Sequence, residues 1–303
     1  MEYILETKSL SKKYGDFIGL DNLNMKIPKG AIYGFVGKNG SGKTTLIRLI
    51  CGLQKPSSGE FSLYGVKNSS EKIEKARKRI GAIVESPAIF SNMTAKENIL
   101  YQYKVMGIPK DDRVEEIIKI VGLCHTKNKK VKNFSLGMRQ RLAIAISLVG
   151  NPDFLILDEP INGLDPQGII EIRELILKLN RQKAITILIS SHILDELSRI
   201  ATCYGFIDSG HMIKEMTAEE LFENCRKSIG LNVSDTKILA RVLDRLNLEY
   251  KIIDNNNADI YGEIQVTKLI ENLSKENCIV YSMKEKDESI ESFYMNLLGG
   301  SYV

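Results

Sequence analysis

The chain has 303 residues, 43% of them apolar and 26% charged. That balance excludes a disordered chain, a collagen-like repeat and a disulfide-stapled miniprotein, and the length predicts about two domains. Lys+Arg 42 against Asp+Glu 38 leaves a net charge of +4, spread too thinly for a nucleic-acid footprint.

In chain order, the residues up to about Ile27 read as antiparallel strands turning at Gly15-Asp16. Ala31–Val36, Phe154–Leu157 and Ile185–Ile189 are continuous apolar runs, as strands buried on both faces should be. Helical stretches over Lys43–Leu53, Gln167–Asn180 and Ile193–Ile200 separate and follow them, which predicts an α/β domain with a mainly parallel sheet. The longest apolar stretch, Leu142 to Val149, is far below the ~18 residues a membrane helix needs. The opening residues show no apolar signal-peptide core. Five cysteines without CxxC spacing fit reduced thiols in the cytosol.

The pattern changes near Thr217, where Thr217-Ala218-Glu219-Glu220 has the form of a helix-starting capping box. A boundary at residues 215/216 follows, giving domains 1–215 and 216–303. The second reads as strand Ile229–Val233, helix Asp235–Asn247, strand Tyr250–Asp254, strand Ala258–Tyr261, helix Ile264–Ser274, strand Cys278–Met283 and helix Ser289–Leu298. This βαββαβ order is a small α+β domain of ferredoxin-like pattern. Its hairpin is expected at Asn255-Asn256-Asn257, because asparagine tolerates the left-handed conformation.

Gly37-Lys38-Asn39-Gly40-Ser41-Gly42-Lys43-Thr44-Thr45 fits the GxxxxGK[ST] phosphate loop between a strand and a helix. Glycines let successive N–H groups turn toward phosphate oxygens, and the helix start adds the positive end of its dipole. Lys43 would reach the β- and γ-phosphates of ATP, and the Thr44 hydroxyl would ligate Mg²⁺. The apolar strand ending in Asp158-Glu159 delivers two carboxylates to the same crevice. Asp158 suits a Mg²⁺ role and Glu159 the polarisation of the attacking water.

With these motifs the chain resembles the ATP-binding cassette (ABC) ATPases over roughly residues 1–215, which implies a P-loop NTPase fold with a mixed sheet and a helical lobe. The resemblance implies further site residues. Tyr14 stands where the family stacks an aromatic ring on adenine. Phe134-Ser135-Leu136-Gly137-Met138-Arg139-Gln140-Arg141 matches the signature written LSGGQ-x-QR, with Ser135 and Gly137 kept and Leu136 and Met138 substituted. Asn162-Gly163-Leu164-Asp165 is similar to the D-loop, and His192 to the switch histidine beside the γ-phosphate. The Q-loop position carries Glu85 in place of glutamine, a carboxylate that would ligate Mg²⁺ and tune catalysis.

Glutamate at this position, the SLGM-type signature and the tail around Asp287–Tyr294 and Gly299-Gly300 resemble bacitracin-resistance and lantibiotic-immunity exporters. That implies an ATPase working as a head-to-tail homodimer on a separate polytopic membrane permease, on the inner face of the cell membrane. In the family, the lobe equivalent to the apolar and aromatic stretch Ile89–Ile108 forms the groove for the permease, with core packing of that lobe the alternative for any one of its residues. A nucleotide-binding regulator with little turnover is the alternative from another class. A soluble ABC ATPase acting on DNA or ribosomes would need a coiled-coil insertion or a second cassette, and the sequence has neither.

Overall fold

The computed structural model describes residues 2–85, 88–109, 113–225, 228–262, 264–286 and 290–298. Two compact units divide between Ala218 and Glu219.

In the first unit, β1 (Tyr3–Tyr14) and β2 (Phe17–Pro28) form an antiparallel hairpin. Its turn uses Gly15 at φ 58°, a conformation glycine adopts without steric cost. Then come β3 (Ile32–Val36), α1 (Lys43–Ile50), β4 (Ser58–Leu63), β5 (Val66–Lys67), α2 (Ile73–Arg77) and β6 (Ile80–Ile83). A helical lobe follows with α3 (Ala95–Val105), α4 (Arg113–Ile120) and α5 (Leu136–Ser147). The chain returns through β7 (Phe154–Asp158), α6 (Pro166–Lys183), β8 (Thr186–Ser191), α7 (Leu194–Ser198), β9 (Cys203–Asp208) and β10 (His211–Thr217).

Among the described residues these strands make two sheets. One is antiparallel, in the order β2-β1-β4-β5. The other runs β10-β9-β3-β8-β7-β6, parallel except for β10 at its edge. The strands β3, β7 and β8 are buried along their whole length, which is why they read as unbroken apolar runs. A core of Leu5, Leu20, Met25, Phe35, Leu46, Ile50, Phe61 and Ile156 joins the antiparallel sheet and α1 to the parallel one. This fixes α1, and the loop before it, against the strand ends.

The second unit opens with α8 (Ala218–Asn224), whose first residue closes the first unit. It continues with β11 (Ser228–Val233), α9 (Thr236–Arg245), β12 (Glu249–Ile252), β13 (Asn257–Tyr261), α10 (Val266–Lys275), β14 (Val280–Lys286) and α11 (Ile290–Leu297). The sheet order is β12-β13-β11-β14 with every pair antiparallel, the strand arrangement of a split βαβ fold. Leu231, Val233, Leu239, Leu243, Ile260, Leu269 and Leu273 form a core of its own.

The asparagine hairpin forms by a different device from the one expected. None of Asn255, Asn256 and Asn257 has a positive φ. Instead the Asp254 carboxylate accepts the backbone N–H groups of Asn256 and Asn257, both at 2.8 Å, and so closes the turn. Asp287, Glu288, Ser289, Gly299 and Gly300 of the tail lie outside the described residues.

Candidate active site

The loop between β3 and α1 is shaped by what its glycines leave out. A Cβ on Gly37 would fall 2.4 Å from Ser41 Oγ and 2.6 Å from the Ile207 carbonyl oxygen. Gly42 combines φ 110° with a neighbour that a Cβ would meet at 2.5 Å. Only glycine satisfies both demands there. Beside the loop lies a depression of about 190 Å³ lined by Phe17, Gly19, Asn39, Gly40, Gly42, Lys43, Thr44 and Thr45.

Lys43 is only 5% exposed. Its ammonium donates to the carbonyl oxygens of Gly37 at 2.6 Å and Lys38 at 3.1 Å, and stands 3.4 Å from Glu159 Oε1. Ser41 Oγ in the same loop is buried without a hydrogen-bond partner. A buried hydroxyl left unpaired is costly, and this one remains able to donate to an acceptor brought to the loop.

The ends of three adjacent strands complete the site. Asp158, the last residue of β7, is buried; its Oδ2 accepts from Thr44 Oγ1 at 2.9 Å and its Oδ1 from the Ser190 hydroxyl at 2.5 Å. Glu159 turns out of the strand at φ 49°, its N–H donating to Ser190 Oγ at 3.0 Å. Its Oε2 lies 2.9 Å from His192 Nδ1, just past the end of β8. One carboxylate thus spans the loop lysine and the histidine.

Glu85 belongs to the same row by register. Ile83 of β6 pairs with Leu157 of β7, so Glu85 and Glu159 each lie two residues past that pair. Both are left-handed, at φ 58° and 49°. The carboxylate of Glu85, however, pairs with the Arg48 guanidinium on α1, not with Thr44 or Asp158.

Tyr14 closes the first hairpin with its hydroxyl donating to Gln54 Oε1, and Phe17 stacks on it with ring centroids 6.4 Å apart. Phe17, not Tyr14, lines the depression beside the loop. Ser135 caps α5, accepting from the Met138 N–H at 3.3 Å. A Cβ on Gly137 would meet nothing closer than 3.9 Å, from Gly168 and Leu164, so packing within the chain does not require glycine there. Asp165 caps α6 through the Gly168 N–H at 2.9 Å.

Sequence reasoning missed Phe17, Arg48 and Ser190. Arg48 had a signal, because it follows Thr44 at the i+4 spacing that stacks side chains on one helix face. Ser190 lies two residues before His192, and its role depends on which strand β8 neighbours.

A phosphate loop facing an Asp-Glu strand end and a strand-end histidine, with a serine-capped signature helix, defines an ATP-binding cassette. The chain belongs to the ABC transporter ATP-binding proteins and is an ATPase. The ABC transporter family model matches residues 20–162. The chain is 40% identical over 306 aligned residues to the bacitracin transport ATP-binding protein BcrA of Bacillus licheniformis, covering 100% of both. It is 41% identical over 227 residues to the lantibiotic transport ATP-binding protein SrtF of Streptococcus pyogenes, covering 73% of this chain and 96% of that one. Among solved structures it is similar to the dimeric ATP-binding cassette MJ0796 in a post-hydrolysis state bound to ADP and Pi. There the TM-score is 0.62 at 26% identity, over 71% of this chain and 98% of the other.

Proposed function

We propose that two copies of this chain, paired head to tail, hydrolyse MgATP to drive a separate membrane subunit that exports a peptide antibiotic of the bacitracin or lantibiotic class. The single observation carrying the hydrolytic reading is the Glu159 carboxylate, held between Lys43 and His192 next to the Thr44–Asp158 pair.

Lys43 exchanges a loop carbonyl or Glu159 for the phosphates of ATP. That exchange releases one oxygen of Glu159 to accept a proton from the attacking water. His192 holds the other oxygen and offers its ring to the γ-phosphate. Ser41 donates its unpaired hydroxyl to phosphate, and the backbone of Asn39, Gly40 and Gly42 lines the path. Thr44 and Asp158 present oxygen donors from two rigid elements, a set that suits Mg²⁺. When bound there, Mg²⁺ supplies neutralisation of the charge that builds on the phosphate oxygens. Ser135 and Gly137 at the start of α5 complete the site of the other copy, where an uncrowded helix N-terminus can approach the γ-phosphate. Tyr14 and Phe17 offer the adenine an aromatic surface.

The membrane subunit would dock on the helical lobe, where Phe90, Tyr101, Val105 and Met106 are exposed and Phe90 packs edge-on against Tyr101. No helix among the described residues is long and apolar enough to cross a membrane. As the ATP-binding partner of a membrane subunit, the chain would sit on the cytoplasmic face.

Full-length similarity to a bacitracin transport protein supports the peptide class. The test replaces Glu159 by glutamine in the native gene and scores growth in bacitracin together with ATPase activity of the purified chain. Bacitracin tolerance should fall with turnover. Unchanged tolerance at normal protein level would refute export of that peptide, whereas a purified wild-type chain without turnover would refute hydrolysis.

A further inference from the structure

The glutamate at residue 85 creates an electrostatic problem. β6 and β7 are neighbouring parallel strands, and such strands run about 4.8 Å apart. Glu85 and Glu159 each follow the last pair of that ladder, Ile83–Leu157, by two residues, and both turn left-handed out of their strands. Two carboxylates carried at neighbouring strand ends add negative charge to a site that would receive a triphosphate.

One helix answers both charges. Lys43, the first residue of α1, faces Glu159, and Arg48, in its last turn, pairs with Glu85. Thr44, four residues before Arg48, holds Asp158. The two cations differ in what they can do. Lys43 is buried and has phosphate to turn to, which leaves Glu159 without a cation. Arg48 is one-third exposed and its guanidinium fork suits a carboxylate.

We propose that Arg48 is the positioning residue that makes a carboxylate tolerable at residue 85. It neutralises Glu85 and holds it aside while Lys43 moves to the phosphates. Arg48 acts through Glu85 and touches no reacting atom. This rests on the reading of the strand ends as the MgATP site.

The experiment is a double-mutant cycle with the full chain: wild type, Arg48→Gln, Glu85→Gln and the double variant. MgATP affinity is measured by calorimetry and turnover by phosphate release, each at low and high salt. Arg48→Gln should weaken MgATP binding about two- to fivefold, the range an exposed ion pair supports, with a larger change in KM than in kcat. The loss should shrink at high salt, because the Debye length falls to about 3 Å at 1 M. In the Glu85→Gln background the same Arg48→Gln change should have no effect. Arg48→Lys, which keeps the charge, should retain most of the binding, and Arg48→Met gives a second neutralisation if glutamine at 48 does not fold. An equal loss on removing Arg48 with or without Glu85, or no loss at all, overturns the proposal. A wild-type chain that binds no MgATP takes down the reading of the site and this proposal together, whereas normal wild-type binding with no coupling in the cycle sinks the proposal alone.

Discussion

Glu159→Gln is the sharpest test of the site, because it changes one charge and almost no volume. The carboxylate lies 3.4 Å from the Lys43 ammonium. At an effective dielectric of ~20 that is a gross attraction of about 5 kcal/mol, most of it offset by the cost of desolvating both groups. Its loss frees Lys43 and removes a negative charge facing the incoming phosphates, so MgATP should bind as tightly as in wild type or a few-fold tighter. Glutamine cannot take the proton of water. Losing a general base costs about 10²–10⁴ in rate, or roughly 3–5 kcal/mol on the barrier. The assay pairs phosphate release at saturating MgATP with calorimetric binding of the same protein. Size-exclusion chromatography with ATP should show the variant trapped as a dimer. Turnover within tenfold of wild type would remove Glu159 from the base role, and loss of ATP binding would mean that its contacts with Lys43 and His192 build the loop rather than run the reaction.

Four further outcomes follow from other parts of the chain. Thr94 and Glu97 form a reciprocal capping box at the start of α3, so Thr94→Ala should cost about 1 kcal/mol, read as a lower melting temperature. The Thr94 N–H, with Lys130 beyond it, holds the Glu97 carboxyl below its ordinary value. Its stabilisation is therefore complete above the usual glutamate pKa and is lost as pH falls through the depressed folded value, so a Glu97→Gln variant and wild type should converge in melting temperature under acid conditions. A chain ending at Ala218 should still bind MgATP with near wild-type affinity, since the loop and all three strand ends lie before it; a folded truncation that binds none would show that the second unit shapes the site. Phe17→Ala should raise KM for ATP at least as much as Tyr14→Ala, because Phe17 lines the depression while Tyr14 is tied to Gln54, and the opposite order would return the base contact to Tyr14 alone.

The sequence was most legible where residue type alone decides the outcome. The phosphate loop could be read from its glycines because two of them occupy places where any Cβ would collide. The buried strands β3, β7 and β8 announced themselves as apolar runs, and the alternation in the last eighty-odd residues matched the split βαβ order. Legibility failed where strand neighbours matter. That Glu85 lines up with Glu159 follows from β6 pairing with β7, which nothing in either segment states. Without that register Arg48 looks like any surface arginine. The asparagine turn shows a third kind of miss: the turn was placed correctly, but Asp254, outside the three asparagines, is what closes it.

Lys43 has a consequence for the pace of the cycle. An ammonium carries three N–H donors; in this chain two loop carbonyls accept hydrogen bonds from it, and Glu159 Oε1, 3.4 Å away, pairs with it by charge without a hydrogen bond. In the proposed site, a phosphate would therefore meet a lysine already engaged by two carbonyls and one carboxylate, and would compete with them for it. Such an exchange keeps the well shallow on both sides of the reaction. On the proposed function, ADP, lacking the γ-phosphate, would compete for Lys43 less strongly than ATP, and the protein's own oxygens would help to displace the product. A transporter subunit has to let go of its spent nucleotide as reliably as it captures the fresh one, and the loop carbonyls on Lys43 would be the displacing ligands for that task.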